Sequence, residues 1–508
     1  MLELLGSSLI NILHWKYLLP LFLGTLAGVV GGAVPGVTIT MAIIVILPFT
    51  YGLDPLAGLA AMTGVYVGGS AGGLVVACLL GIPGTPSAIA TTFDGFPMAR
   101  KGEPGRALWL GVWASFFGGL LGGVFLILVT GPLAAIALEF GPWEFFSLFV
   151  LAMAMVAGLT EASFVKGLLA TAIGLLVTVI GSDPIANVPR FTFGSEFLVS
   201  GFPFLPVLIG VFAFAQIMTD IEKLRDPRSA GAGGGTSVRP TLSVSHAKVI
   251  WEILSRPFLL LWSTLVGIVI GVLPAIGGSA ANMMAYDQAK KFSRHPEKFG
   301  TGTPEGIIAS ESANNSNVGG SLVTIMAFGI PGDAVTAVML GAMTIHGIQS
   351  GPLFVSQNPE VAYGIYAAYI LAHPLMLLII GFSTFFILRI TTVRLAVLAP
   401  VVLVLCVIGA YALNNTMQSV YVLLLFGVIG YALVKAGLPL APLILGLILG
   451  DQIELNLIRA IMTDSDPWLF VTRPISGGLL AAAALSVGFA VWQHLRHQRR
   501  ASEADTDF

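Results

Sequence analysis

Apolar residues along this chain come in long runs and not in stripes. The runs 18–30, 108–129, 258–273 and 420–434 approach, or with their flanks exceed, the ~20 residues that cross a bilayer as helix. Alternation at period two is absent, and the runs are too long for barrel strands of ~10 residues, so helices are the way to satisfy the backbone in lipid. The pattern predicts an all-α polytopic membrane protein with about 10–12 transmembrane helices, plus re-entrant or broken ones.

Composition sharpens this picture. Charged residues make up 10% of the 508 residues and hydrophobic ones 56%, with a mean hydropathy of +0.92, whereas a soluble domain carries about 25% charge. So few charges cannot cover a water-facing surface. Many of the 61 glycines and 29 prolines fall inside apolar runs, where small residues let helices approach and Pro interrupts the hydrogen-bond ladder. A net charge of −2 carries no nucleic-acid footprint. Cys78 and Cys406 lie in apolar stretches without metal-ligand spacing. The first 21 residues lack a basic start and a small-residue cleavage site, so the N-terminus reads as an uncleaved, amphipathic or membrane-entering segment.

The chain repeats itself. Gly-Ile-Pro-Gly stands at 81–84 and again at 329–332, an offset of 248 residues. Gly58 meets Gly306, Gly72 meets Gly320, Leu74 meets Leu322 and Val75 meets Val323 at the same offset. Upstream, T-L-x-G-x-x-x-G-x-x-P recurs at 25–35 and 264–274; downstream, Pro206, Gly210 and Gln216 recur as Pro442, Gly446 and Gln452. Three blocks in one order define a duplication. It divides the chain into an N-terminal amphipathic segment (1–17), a first membrane repeat (18–221), a linker (222–257), a second membrane repeat (258–474) and a C-terminal helix with a basic tail (475–508).

Charge shows how the copies are oriented. Lys223, Arg225, Arg228, Arg239, Lys248 and Arg256 mark the linker, and Arg496, Arg499 and Arg500 the tail, as cytoplasmic by the positive-inside rule. Arg100, Lys101 and Arg106 follow the first Gly-Ile-Pro-Gly, whereas the uncharged stretch 346–352 follows the second. Conversely, Lys290, Lys291, Arg294 and Lys298 occupy a loop whose first-half counterpart, 51–55, has no basic residue. A bias that reverses between copies is the mark of inverted-topology repeats, which recur in secondary transporters with the site at the repeat interface.

Candidate chemistry sits where polar, Gly-rich breaks interrupt these segments, since irregular backbone at membrane depth survives only inside protein or beside a wet cavity. The breaks are Pro35, Gly36 and Thr38; 81–87, with Gly84, Thr85 and Ser87; 274–279, with Gly277 and Ser279; and 313–333, with Gly332. Helix starts there, with the hydroxyls of Thr85 and Ser87, can hold a carboxylate without Arg or Lys; the competing reading is a Pro kink that only shapes packing. Asn314, Asn315, Ser316 and Asn317 form the densest amide cluster. Their oxygens, with unwound main-chain carbonyls, suit a hard cation such as sodium; the competing reading is a polar surface turn. Asp333 reads equally as a cation ligand and as a helix N-cap. Glu305 and Glu311 read as interfacial, Asp451, Glu454 and Arg459 as a local charge network, and His346 and His373 as structural.

The segments 32–38, 67–73, 81–87 (GIPGTPS), 94–105 (DGFPMARKGEPG), 314–321 (NNSNVGGS) and 329–334 (GIPGDA) resemble the large membrane subunit of the tripartite tricarboxylate transporters. The likeness runs through nearly all of 10–475. It implies an inner-membrane importer of small organic carboxylates, driven by sodium or protons, with no other cofactor. It also implies a small four-helix membrane subunit, a periplasmic solute-binding protein that largely sets the substrate, and a helical hairpin over 262–289 that returns to the cytoplasmic side. An elevator-like motion follows by analogy. Two readings compete: an intramembrane aspartyl protease built on Asp287 and Asp333, which would need its carboxylates to share a proton, and a passive channel, which gives no reason for broken helices in inverted copies. Catalytic residues are not expected.

Overall fold

The computed structural model describes residues 2–34, 36–158, 164–183, 185, 187–224, 242–274, 276–390 and 395–506. Pro35 and the glycine-rich centre of the linker lie outside them.

The first half carries α1 (Leu2–Ile12), α2 (Trp15–Ala33), α3 (Ile39–Thr50), α4 (Pro55–Leu80), α5 (Ile89–Arg100), α6 (Pro104–Leu138), α7 (Pro142–Gly158), α8 (Phe164–Thr178), the single turn α9 (Glu196–Val199), α10 (Phe204–Leu208) and α11 (Ala215–Leu224). A π-helical stretch, Ile209–Phe214, joins the last two. The second half carries α12 (His246–Leu254), α13 (Pro257–Val272), α14 (Gly277–Phe292), α15 (Pro304–Phe328), α16 (Ala334–Ile345), the single turn α17 (Phe354–Gln357), α18 (Pro359–Ile390), α19 (Leu395–Asn414), α20 (Met417–Lys435), α21 (Leu440–Thr463), the single turn α22 (Leu469–Thr472) and α23 (Pro474–Thr506). Among the described residues the strand structure is one antiparallel pair, β1 (Gly181–Ser182) with β2 (Pro189–Arg190).

Eight of the described helices are long and apolar enough to cross a membrane, and a ninth if α12 and α13, bent by 78°, form one span. Shorter apolar helices, α3, α8 and α16 among them, take up the rest of the sequence's apolar runs as half-spans. Exposed Phe382, Phe385 and Phe386 on α18, and Leu168, Leu169 and Leu176 on α8, suit a hydrocarbon surround. The chain is thus an all-α polytopic membrane protein with broken helices.

Contacts divide it into two compact units, residues 1–134 with 217–413 and residues 135–216 with 414–508. In the first unit the duplication is visible atom by atom. A β-carbon added to Gly28 or Gly32 of α2 would stand 2.3 Å from Val65 O or Gly69 O of α4; one added to Gly267 or Gly271 of α13 would stand 2.2 or 2.3 Å from Ala313 O or Asn317 O of α15. The carbonyls Val65 and Ala313, like Gly69 and Asn317, are themselves 248 residues apart. Only glycine allows backbones this close, so the repeated T-L-x-G-x-x-x-G encodes a helix crossing.

Each repeat of this unit holds a helical hairpin, α2–α3 and α13–α14. Trp262 Nε1 donates to Gln288 Oε1 at 2.8 Å, closing the second hairpin across its open end as the family resemblance implies. The two hairpins open at opposite ends of α4, whose 26 residues span about 39 Å. At its first end Lys16 pairs with Asp54 at 3.1 Å and Gly58 lies against His346, the C-cap of α16. At its other end α5 runs to meet the base of the second hairpin, where Gly302 packs on Met98 and Arg106 and Arg256 bridge to Glu252 and Glu305. Arg100, Lys101, Arg106, Arg256, Lys290, Lys291, Arg294 and Lys298 all belong to this second, basic end.

The second unit repeats the device. Gly446 of α21 would press an added β-carbon to 2.4 Å from Thr171 O of α8, and its counterpart Gly210 to 2.4 Å from Leu423 O of α20. Arg190 is held by Asp183 and Glu454. Glu454 therefore has Arg190 as its partner across the fold, where the sequence grouped it with Arg459.

Candidate functional site

The asparagine cluster is not unwound. α15 runs unbroken from Pro304 to Phe328, and every residue from Gly306 to Ala327 is buried. Its main-chain oxygens serve the helix, which corrects the expectation that they are free as ligands; what remains for a ligand are side chains. At 100° per residue these do not share a face. Ser316 Oγ donates to Thr264 O of α13 at 3.0 Å. Asn315 turns elsewhere: Tyr369 OH of α18 donates to its main-chain oxygen at 3.1 Å, and both of its amide side-chain atoms are buried without a partner.

Asn314 and Asn317 face the helix breaks. Asn314 Nδ2 donates to Ser70 O of α4 at 2.8 Å, which directs Oδ1 away from α4. That oxygen, like Asn317 Oδ1, is buried and unpartnered. A side chain added to Gly278, at the start of α14, would come within 2.9 Å of Asn314 Oδ1, 3.2 Å of Ser87 Cβ and 3.7 Å of Asn317 Nδ2. Four elements thus converge: α4, α14, α15 and the 3-10 turn Pro86–Ala88 that opens α5. Thr85 Oγ1 and Ser87 Oγ lie 3.0 Å apart. Gly277, at φ +73, brings the α14 start to Asp333, 3.4 Å from an added β-carbon to Asp333 Cβ.

Asp333 has the capping role. Its Oδ1 accepts from Thr336 N at 2.9 Å, in a capping box that starts α16, and Tyr66 OH donates to its Oδ2. At the 248-residue offset Tyr66 corresponds to Asn314 and Thr85 to Asp333. One half of the pseudo-symmetric centre is therefore filled by its own side chains, Tyr66 on Asp333. The other half leaves Asn314 Oδ1 without a partner.

The breaks themselves differ from expectation in one respect. The left-handed glycines are Gly81 and Gly329, both at φ +72, which end α4 and α15. Gly84 and Gly332 are outside that region and sit under backbone, with added β-carbons 2.3 Å from Gly32 O and 2.5 Å from Gly271 O. They are small because a helix passes over them. At the first hairpin tip Thr38 caps α3 through Met41 N at 3.1 Å, and Gly36, at φ +90, lies near Asp220 of α11. The structure brings together Ser87, Gly277, Asn314, Asn317 and Asp333, with Thr85 behind Ser87; Ser279 follows on α14, half-buried.

Sequence reasoning gave no role to Gly278, Tyr66 or Ser70, and read Glu311 as interfacial. Glu311 is fully buried, with Thr91 Oγ1 and Ser115 Oγ donating to its two oxygens, the latter at 2.9 Å, so it is not interfacial. Its spacing of three from Asn314 was the available signal. Among the described residues no three His, Cys, Asp or Glu side chains converge, and the residues shown to meet at Gly278 include no Lys or Arg. It offers amide oxygens to a cation, and hydroxyls and helix-start N–H groups to an anion.

Duplicated hairpins whose broken helices meet at a buried polar centre are the arrangement of helical membrane transporters. The chain belongs to the tripartite tricarboxylate transporter TctA family, whose model matches residues 18–445. It is 34% identical over 483 residues to an uncharacterized 52.8 kDa protein in the TAR-I ttuC' 3' region of Agrobacterium vitis, covering 94% of each chain. A second Agrobacterium vitis protein, in the TAR-II ttuC' 3' region, is 34% identical over 238 residues, 46% of this chain and 97% of that one. No solved structure matches.

Proposed function

We propose that this chain is the large subunit of an inner-membrane importer of small organic carboxylates, driven by sodium or protons. In this reading a periplasmic solute-binding protein feeds it and a small four-helix membrane subunit accompanies it. The observation that carries the reading is the pair of buried, unpartnered oxygens on Asn314 and Asn317, two side chains that meet the start of α14 beside Ser87. A buried amide oxygen without a partner costs about 1–3 kcal/mol, a cost that a bound cation removes. The cation in turn offsets the charge of a carboxylate held by the Ser87 and Thr85 hydroxyls and the N–H groups that open α14. The basic end of the first unit is cytoplasmic by the positive-inside rule, which puts the 346–352 loop and Lys16 outside and makes the repeats inverted.

The aspartyl protease reading loses its motive. Asp287 is exposed and pairs with Lys291, while Asp333 is taken by Tyr66 and Thr336, so the carboxylates have separate partners. The test of the transport reading is uptake of labelled citrate and smaller di- and monocarboxylates into vesicles holding the chain, its small subunit and the cognate binding protein. Accumulation against a gradient that collapses without sodium or proton-motive force is expected. Equilibration unaffected by either gradient would instead mean a channel.

A further inference from the structure

Two seams lead from the pocket to the two ends of the first unit. α14 and α5, one from each repeat, run together to the basic end, and α3 and α16, their pseudo-symmetric counterparts, run together to the other. The side chains along them differ in kind. On α3 the buried residues include Ile43, Ile44 and Leu47, and on α16 Val338, Met339 and Met343; among the described residues no side-chain hydrogen bond joins these two helices.

The α14–α5 seam is stitched at successive turns. Beyond the Gly278–Ser87 contact, Asn282 Oδ1 accepts from Ala90 N at 2.8 Å, and its Nδ2 donates to Thr91 Oγ1 at 3.3 Å and to Ser310 O at 3.2 Å. One turn further, Tyr286 OH donates to Asp94 Oδ2 at 2.9 Å. Asp94 is fully buried, and its Oδ1 accepts from three backbone amides, Gly300 N, Gly302 N and Thr303 N, at 3.0, 2.7 and 2.8 Å. Gly300 and Gly302, at φ +85 and +99, take the left-handed conformations of the turn that converges on the carboxylate. An added β-carbon on Gly306 would stand 2.1 Å from Asp94 Oδ2, so the first turn of α15 is pressed on the same group.

We propose that Asp94, Asn282 and Tyr286 are positioning residues, a buried latch that holds Ser87 against Gly278 and shuts the pocket from the basic end. Apolar contacts such as those between α3 and α16 are non-directional and re-form after a slide. Parting α5 from α14 takes the Tyr286 hydroxyl off the buried Asp94 carboxylate and leaves the Asn282 amide without its α5 partners, which directional bonds resist. The site therefore opens toward the apolar seam without disturbing the latch, and toward the basic end only when Tyr286 and Asn282 let go of α5. This rests on the Ser87–Gly278 pocket being the transport site.

The test uses the full chain in vesicles, with Cys78 and Cys406 replaced by alanine and Ser87→Cys as reporter. A membrane-impermeant maleimide is applied to either face, and a separate Lys291→Cys variant shows which face is the basic end. Tyr286→Phe should raise the labelling rate of the reporter from the basic end about tenfold, the effect of one lost hydrogen bond to a charged acceptor, and leave the rate from the other face unchanged. Asp94→Asn, which keeps the shape and loses the charge, should raise it less. An unchanged rate in a folded Tyr286→Phe protein would overturn the proposal, and so would an equal rise from both faces, which is general loosening. If Tyr286→Phe does not fold, the same two outcomes are read from Asp94→Asn. Labelling needs neither substrate nor cation, so failed uptake would count against the pocket's function and unchanged labelling against the latch alone.

Discussion

Alanine substitution along the asparagine cluster separates a cation site from a run of buried amides. Asn317→Ala and Asn314→Ala each remove a buried, unpartnered oxygen from a side chain that meets the start of α14. A contact between a neutral dipole and a charged group contributes about 1.5–3 kcal/mol, so the apparent sodium affinity should fall on the order of 10- to 100-fold in either variant. Asn314→Ala also gives up the bond to Ser70 O, which adds a loss of about 1 kcal/mol in stability. Asn315→Ala is the control. Its amide is equally buried, stands 100° round the helix from Asn314 and has no bonds to lose, so the variant should keep its sodium dependence. The assay is uptake against sodium concentration, with the sodium-dependent rise in melting temperature of the purified protein as a second readout free of substrate. An Asn315 variant that loses sodium affinity as much as Asn317→Ala, or an Asn317 variant that loses none, would refute the assignment of faces.

Gly84→Ala and Gly332→Ala should lower melting temperature and yield before they lower uptake per folded molecule, because their β-carbons meet backbone at 2.3 and 2.5 Å; the cost of such overpacking is about 1–3 kcal/mol or more, and a normal melting curve would contradict it. Ser87→Ala should raise the substrate KM while leaving the melting temperature near that of the parent, since among the described residues the hydroxyl bonds only locally, to the neighbouring Thr85; an unchanged KM would remove Ser87 from the site. Single cysteines at 231–235 and in the C-terminal tail should be labelled by an impermeant reagent only from the cytoplasm, and those at 346–352 only from the periplasm. Periplasmic labelling of the linker would overturn the inverted arrangement.

Much of this protein is local information. Membrane length, helical character and the absence of a soluble surface follow from runs of apolar residues, whose physics needs no partner. The duplication is equally legible, because Gly28, Gly32, Gly267 and Gly271 have to be small wherever two backbones cross. The breaks at Gly81 and Gly329 declare themselves through Pro and Gly. What the tertiary structure alone decided is direction. Asn314 and Asn315 are neighbours in sequence, yet a helix sends them 100° apart, and only the packing of α4, α14 and α18 determines which one meets the pocket. The same holds for Glu311, which reads as an interfacial acid until Thr91 and Ser115, some 200 residues away, are seen to enclose it. Gly84 looked like a ligand contact because its motif opens a helix, but Gly32 O lies above it. A side chain's chemistry is written in the chain; the neighbour that uses or silences it is set by helices that meet from distant parts of the sequence.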